Sequence, residues 1–312
     1  MLRFTKLAHH PRKLYRMTGL TLAQFQTLVT RLTPRWEQAE RVRLSQRPRQ
    51  HAIGQGRKYK LTTMADKLVC VLAFYRFYLT DELLGWLVGL DASTVCRLQQ
   101  RLEPLLTQAA DATLGLSLRR RLPPETKKIG TVEELLAVCP EFAEIITDAT
   151  EQQRRRPPRR SQRRWYSGKR KRHTIKTQIT VNTAGRVLLV SGSVPGRTHD
   201  YALFKREDTA KQVPRSARHD LDRGYDGAQS DYPAHHVIVP VKKRRNHRVL
   251  TQVERRFNRL HARRRIIVEH VFSRLKKYQV LAQVYRHRLA DYNRRFRTIA
   301  ALANFRLATT VA

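Results

Sequence analysis

T-Q-V-E-R-R-F-N-R-L-H-A-R-R-R-I-I-V-E-H-V-F-S-R-L-K-K-Y, from Thr251 to Tyr278, decides how the rest of the chain is read. Thr251 followed by Glu254 is a capping box, so a helix starts here. Val253, Phe257, Leu260, Ile267, Val271, Leu275 and Tyr278 recur at helical spacing and predict a stripe that faces a core. A second line, Asn258, Arg265, Glu269 and Lys276, shares one face at about 100° per residue. Glu269 stands alone as an acid in a dense basic run. It reads either as an ion-pair partner for Arg265, one turn back, or as a carboxylate kept for chemistry.

The chain has 312 residues, enough for one or two domains with a sizeable core. Lys and Arg number 63 against 25 acids, a formal net charge of +38. Such an excess repels itself unless a polyanion neutralises it, so nucleic acid is the first partner to consider. A ribosomal or merely solvated basic protein is the plainer alternative. The 41% apolar content argues against a disordered basic tail. Cys70, Cys96 and Cys139 are odd in number and scattered, which fits neither a disulfide framework nor zinc spacing. They read as buried thiols of a reducing compartment. No apolar run reaches the length of a membrane span, and the basic start lacks a signal peptide's apolar segment. The expectation is a soluble cytoplasmic protein without a membrane partner.

Residues 1–60 read as a basic arm carrying one short amphipathic helix, Thr21 to Leu32, with a polar linker from Arg41 to Lys60. Residues 61–106 read as three helices: Met64 to Tyr78, Asp81 to Val88 capped by Thr80, and Ser93 to Leu106. The turn Gly89-Leu90-Asp91 precedes the third, which exposes Ser93, Thr94, Arg97, Gln100 and Arg101. That arrangement suggests a helix-turn-helix, with Ser93, Thr94, Arg97 and Arg101 as DNA contacts. An ordinary helical bundle remains the alternative. Residues 107–142 read as a helical connector with a short acidic helix, Thr131 to Val138.

From residue 143 the pattern changes to α/β. Glu144 to Asp148 reads as a buried strand ending in an acid. Gln152 to His173 is a very basic, turn-rich stretch. Its Arg159, Arg160, Arg163, Arg164, Lys169 and Lys171 suit a phosphate backbone, and so many like charges predict little fixed structure. His173 to Val181 and Arg186 to Ser191 form a hairpin around Gly185. Asp200 to Arg206 starts a helix. Strands follow at Ser216 to Leu221, with Asp222 just past the end, and at His235 to Val241. Arg294 to Leu307 is a last amphipathic helix, expected to pack on the sheet. Three acids, Asp148, Asp222 and Glu269, thus fall at strand ends or on a polar helix face. Convergent carboxylates are costly without cations, and Mg²⁺ takes such hard oxygen ligands in phosphodiester chemistry. Their spacing alone is weak support.

Five segments add to this: D-A-T-E (148–151), Y-S-G-K-R-K-R-H-T-I-K (166–176), P-G-R-T-H-D-Y-A-L-F (195–204), D-R-G-Y-D-G (222–227) and R-R-R-I-I-V-E-H-V-F-S-R-L-K (263–276). In this order they resemble the DDE transposases of bacterial insertion sequences, of the insertion-sequence-five type related to Harbinger elements. The resemblance runs from the Leu61 region to about Leu307. It implies an RNase H-like catalytic core over 143–312, a five-stranded mixed sheet flanked by helices, behind the all-α helix-turn-helix domain. It implies that Asp148, Asp222 and Glu269 are catalytic and hold two Mg²⁺ ions, which Mn²⁺ can replace. The signature Tyr-x2-Arg-x3-Glu-x6-Lys maps onto Arg265, Glu269 and Lys276, with Ala262 at its Tyr position. Arg265 and Lys276 become phosphate contacts near the acids, with structural ion pairing as the alternative. Asp200 and His199 fit a supporting place beside the metals, or simply the cap of their helix. The partners implied are the element's terminal inverted repeats and target DNA, bound by a homo-oligomer at the nucleoid. Two rivals stand beside this reading. A transposase-derived regulator without catalysis would show decay of the three acids, which are intact. An RNA-binding protein would need exposed aromatics on its sheet, where the strands here are aliphatic.

Overall fold

A computed structural model describes residues 1–46, 59–114, 137, 139–243 and 249–310. Its helices of two turns or more, with one short helix at the start, are α1 (Phe4–Ala8), α2 (Pro11–Thr18), α3 (Leu22–Ser45), α4 (Met64–Phe77), α5 (Asp81–Val88), α6 (Ala92–Ala110), α7 (Asp200–Arg206), α8 (Gln252–Lys276) and α9 (Leu289–Ala308). The strands are β1 (Glu144–Gln153), β2 (Tyr166–Ser167), β3 (Arg172–Asn182), β4 (Val187–Val190), β5 (Val194–Pro195), β6 (Arg218–Leu221) and β7 (Val237–Ile238). The chain divides into two compact units. One comprises Met1–Ala112, Lys276–Gln283 and Arg294–Ala312; the other comprises Thr113–Leu275 and Val284–Asn293.

The first unit is helical. α4 is buried almost all round, from Leu68 to Tyr75, as expected of a helix with no clear polar face. Its start is capped by Thr63, whose hydroxyl accepts from the Asp66 N–H, and α5 is capped in the same way by Thr80. Gly89 ends α5 in a left-handed conformation, φ 76°, which glycine adopts without steric cost. α3 is twice the expected length. It begins at the capping box of Thr21 and Gln24 but runs on through Pro34 to Ser45, so part of the expected linker is helix. The rest of that linker, 47–58, and nearly all of the acidic helix expected at 131–138 lie outside the described residues.

The final helix overturns an expectation. From Arg294 onward it packs in the helical unit instead of covering the sheet. Glu103 is fully buried and pairs with Arg294 and with Arg295, the latter at 3.2 Å. Arg295 also donates to Gln99, and its guanidinium lies over the Phe74 ring, 4.7 Å from the centroid. Asn304 donates to Asp111. A buried guanidinium needs carboxylate and amide partners, and α6 supplies them.

The second unit holds a mixed sheet in the order β2-β3-β1-β6-β7, with β4 and β5 also pairing with β3. β1 is antiparallel to β3 and parallel to β6, and β6 is parallel to β7. The five expected strands are all present, joined by two-residue β2 and β5. β1 differs from its expected form: it runs past Asp148 to Gln153, so Asp148 lies mid-strand opposite Ile179. The sequence after Asp148 carries no large apolar residue and therefore reads as a strand end. The continuation is held by pairing with β3 from Ala149 to Gln153, and Thr174 on β3 donates to Glu151 at 2.7 Å.

Gly185 turns the β3–β4 hairpin at φ 74°, and Arg274 donates to its carbonyl. A methyl added there would strike that guanidinium. Gly185→Ala is expected to destabilise the sheet unit by about 1–2 kcal/mol, measured by urea unfolding. An unchanged midpoint would show that the turn relaxes freely.

α8 corrects the expected core stripe. Val268, Val271 and Leu275 are buried, but Val253, Phe257 and Leu260 are exposed. The sheet meets the helix at buried His261 and at Arg264, both near Asp220 of β6, beyond these three residues of its first half. That half is held by a polar contact: Asn258 accepts from the Val241 N–H and donates to its carbonyl. The Thr251–Glu254 capping box is present in both directions. Cys70 and Cys139 are buried, whereas Cys96 is half-buried; none forms a disulfide.

Candidate active site

The sheet register builds the site. Thr147 on β1 pairs with Leu221 on the parallel strand β6, so the next residues, Asp148 and Asp222, emerge side by side. Asp222 leaves β6 into a tight turn, and its Oδ1 accepts the Arg223 N–H at 2.7 Å. Asp148 Oδ1 accepts the Ala149 N–H at the same distance. Arg265 of α8 then bridges the two acids. Its Nη2 is 2.9 Å from Asp148 Oδ2 and its Nη1 is 2.9 Å from Asp222 Oδ1. The Arg265–Asp148 arm is largely removed from water, with side chains 14% and 17% exposed, whereas Asp222 is 35% exposed.

Burial is the largest influence on Asp148 and pushes its carboxyl up from 3.8 to about 6. Arg265 and the Ala149 N–H oppose that rise; Asp222 and Asp200 add to it. One guanidinium therefore leaves the ionised acid pair short of positive charge.

Asp200, the first residue of α7, is the third acid whose field reaches Asp148. Gly224 lets the backbone behind Asp222 approach it, because a Cβ there would lie 3.3 Å from Asp200 Oδ2. Asp200 is itself held by Lys176, Nζ to Oδ1 2.6 Å. Lys176 is buried on β3, also reaches Glu151 at 3.5 Å, and donates to the Thr198 carbonyl. The sequence reading missed this lysine. Its one signal was a cation at an interior position of an otherwise uncharged strand segment, T-I-K-T-Q-I-T. His199 caps α7, its Nδ1 accepting the Tyr201 N–H at 3.4 Å.

The structure does not bring Glu269 to the pair. It lies on α8 one turn after Arg265 and is exposed. Arg265 spends its bonds on Asp148 and Asp222, so the ion pair with Glu269 considered from sequence is not the one formed. Among the described residues, no three acid, histidine or cysteine side chains close on one point. Lys276, at the end of α8, belongs to the helical unit.

The neighbouring Arg264 serves the fold. Its Nε is 2.8 Å from Asp220, which is fully buried in β6, and its Nη2 is 3.1 Å from Glu144.

In the helical unit Ser93 and Arg97 are exposed on α6, Thr94 half-exposed, and Arg97 folds back onto the Ser93 carbonyl and the Thr94 hydroxyl. Arg101 behaves differently: it pairs with Glu40 and lies over the Trp36 ring, 4.7 Å from its centroid, so it fastens α6 to α3. The basic stretch has more structure than its charge predicts. Arg159–Ser161 and Gln162–Trp165 form short helical turns. Arg154 stacks on Trp165 at 3.9 Å, and Gln162 donates to the Pro157 carbonyl. These contacts turn Arg159, Arg160, Arg163, Arg164, Lys169 and Lys171 to solvent.

A model of the DDE superfamily endonucleases matches residues 147–304, which takes in both strands of the acid pair and the helix that bridges them. The protein assigned as transposase to insertion sequence element IS702 of Microchaete diplosiphon is 30% identical over 253 residues, 81% of this chain and 84% of the relative. That assigned to element IS112 of Streptomyces albus G is 25% identical over 275 residues, 88% and 87% of the two chains. No solved structure gives a significant match. With a helical unit ahead of an RNase H-like mixed sheet and the family's match over half its length, the chain belongs to the DDE superfamily endonucleases.

Proposed function

We propose that the chain is the transposase of an insertion sequence, acting on the element's terminal inverted repeats by metal-dependent cleavage and strand transfer. One observation carries this reading: two carboxylates on adjacent parallel strands, held together by a guanidinium in a mostly dry site. Asp148 and Asp222 offer hard oxygen donors, and their charge exceeds what Arg265 neutralises, which suits divalent cations such as Mg²⁺ or Mn²⁺. Asp148 and Asp222 would hold them, with Glu269 completing the set on DNA. When bound, such ions supply Lewis acidity and a nucleophilic water or hydroxyl at the phosphate. The chain's own part is positioning and charge. Arg265 fixes the acids in place, Lys176 fixes Asp200 beside them, and the exposed arginines of residues 159–164 lie along the DNA backbone. Catalysis of phosphoryl transfer rests largely on such positioning.

Sequence is read by α6. Arg97→Ala is expected to weaken binding to the element's end by about 1–3 kcal/mol if it makes a bidentate base contact, with little change on random duplex. Equal loss on both DNAs makes Arg97 a phosphate contact. At least two protomers would pair the two ends. The test is incubation of purified protein with Mg²⁺ and DNA bearing the element's own ends. Nicks at the ends support the proposal, and intact ends at saturating protein contradict it.

A further inference from the structure

Further along β1 from the acids lies a groove whose rings the proposed reaction does not use. Arg156, Gln162, Arg163, Tyr166, His173 and Arg197 line an open groove of about 610 Å³ in the sheet unit. That volume is within the roughly 300–1,000 Å³ of small-ligand clefts. Its three arginines are exposed, and no carboxylate is among its described lining residues. Arg264 and Arg265 near the acid pair are matched to Asp or Glu; among the described residues, no such pair forms at these three. Arg156 is steadied by an amide, donating to Gln162 at 3.2 Å. Arg197 is placed by the preceding glycine: the Gly196 N–H donates to the Thr174 carbonyl, and a Cβ on Gly196 would collide with that threonine.

Two rings complete the groove. Tyr166 and His173 are cross-strand partners on β2 and β3, packed edge to face with centroids 5.7 Å apart at 74°. Tyr166 stays 42% exposed, so an aromatic surface is offered to solvent among three cations. A ligand matching both features has a flat π face and a phosphate. Bases within a duplex are already stacked on one another, so such a platform favours an unstacked nucleotide.

We infer that this groove holds an unpaired nucleotide of a DNA strand, its base on Tyr166 and its phosphate among Arg156, Arg163 and Arg197. The inference rests on the DNA-processing role proposed above. Its place along β1 is fixed by register, since Gln153 pairs with Thr174, next to His173, and Asp148 lies five residues earlier. At about 3.4 Å per residue the groove is about 17 Å from Asp148 along the strand. At that distance the held nucleotide is assigned to the strand flanking the cut.

The test uses full-length protein, a fluorescein-labelled 12-nucleotide oligothymidine and a labelled 20-base-pair duplex, with binding followed by anisotropy. Tyr166→Ala is expected to weaken oligothymidine binding about tenfold, within the range for loss of one base–aromatic stack, and to leave duplex binding within twofold. Tyr166→Phe keeps wild-type binding. Arg156→Ala with Arg197→Ala flattens the single-strand salt dependence by about 0.7 log units per log unit of salt, the contribution of one phosphate. Equal loss on both DNAs, no loss on either, a Phe variant as weak as Ala, or an unchanged salt slope in the double variant overturns the inference. Wild-type protein that binds duplex but not oligothymidine overturns the groove and leaves the transposase reading standing. Protein that binds neither DNA overturns both.

Discussion

Asp148→Asn is expected to lower cleavage of the element's ends by about 10³-fold or more, while the protein stays folded and still binds duplex DNA. The amide keeps the shape of the side chain but removes the charge that would hold a cation, an effect of several kcal/mol on the transition state. Stability should move the other way. Burial raises the folded-state pKa of Asp148 to about 6, above its ordinary value of 3.8. Between those values the folded chain keeps a proton that the unfolded chain has released, so stability falls as pH rises through that window. Asparagine carries no such penalty, and the variant should melt no lower than wild type at pH 8. Protons compete with the cation for the same oxygens, so wild-type cleavage should decline as pH is lowered, and added Mg²⁺ should offset the decline. Cleavage near the wild-type rate in the Asn variant, measured by product length on a denaturing gel, would remove Asp148 from the reaction.

Arg265→Ala should give the largest loss of stability. It leaves the mostly buried Asp148 beside the part-exposed Asp222 without their shared cation. Removing one partner of a buried ion pair costs about 3 kcal/mol or more, or roughly 6–12 °C in melting temperature for a unit of this size. The loss should be greatest above pH 6, where Asp148 is ionised, and should shrink at pH 5. Divalent cation should restore part of it, since the same oxygens would be neutralised by another charge. Arg265→Lys should fall between, because one ammonium cannot form both arms of the bridge. A variant that melts like wild type at pH 8 would make the bridge energetically idle.

Sequence periodicity carried the helical elements well, for a physical reason. α5 and α7 match their expected bounds because each opens on a capping or acidic residue, and α5 also stops at a glycine in the left-handed region. The long helix α8 is marked by its capping box for the same reason. Elements that depend on distant partners were harder to read. β1 continues through D-A-T-E-Q-Q because its backbone pairs with β3 as far as Gln153 and Thr174 donates to Glu151, a pairing with no local signature. Val253, Phe257 and Leu260 of α8 form an apolar stripe that periodicity alone assigns to a core, yet they are exposed, because the helix meets the sheet further on, at His261 and Arg264. α9 carries an amphipathic pattern that fits either unit, and buried Glu103 decides which.

The acid pair shows the same division. Asp148 and Asp222 could be placed near strand ends from sequence, but their adjacency follows from the parallel β1–β6 register. Arg265 was legible as sharing a face with Glu269, not as the bridge between the two aspartates. Lys176 stayed hidden because its partners, Asp200 and Glu151, are brought to it only by the folded sheet.

Metal binding tests the central claim most directly. Mn²⁺ would be titrated into the complex of the full chain with end DNA and followed by electron paramagnetic resonance, for wild type, Asp148→Asn, Asp222→Asn and Glu269→Gln. The account predicts that wild type binds Mn²⁺ beyond what the DNA alone takes up, and that both Asn variants lose this binding. Glu269→Gln should weaken it as well if that residue completes the set on DNA. Asp222→Asn binding Mn²⁺ as tightly and in the same amount as wild type would contradict the assignment of the Asp148–Asp222 pair as the metal-holding centre.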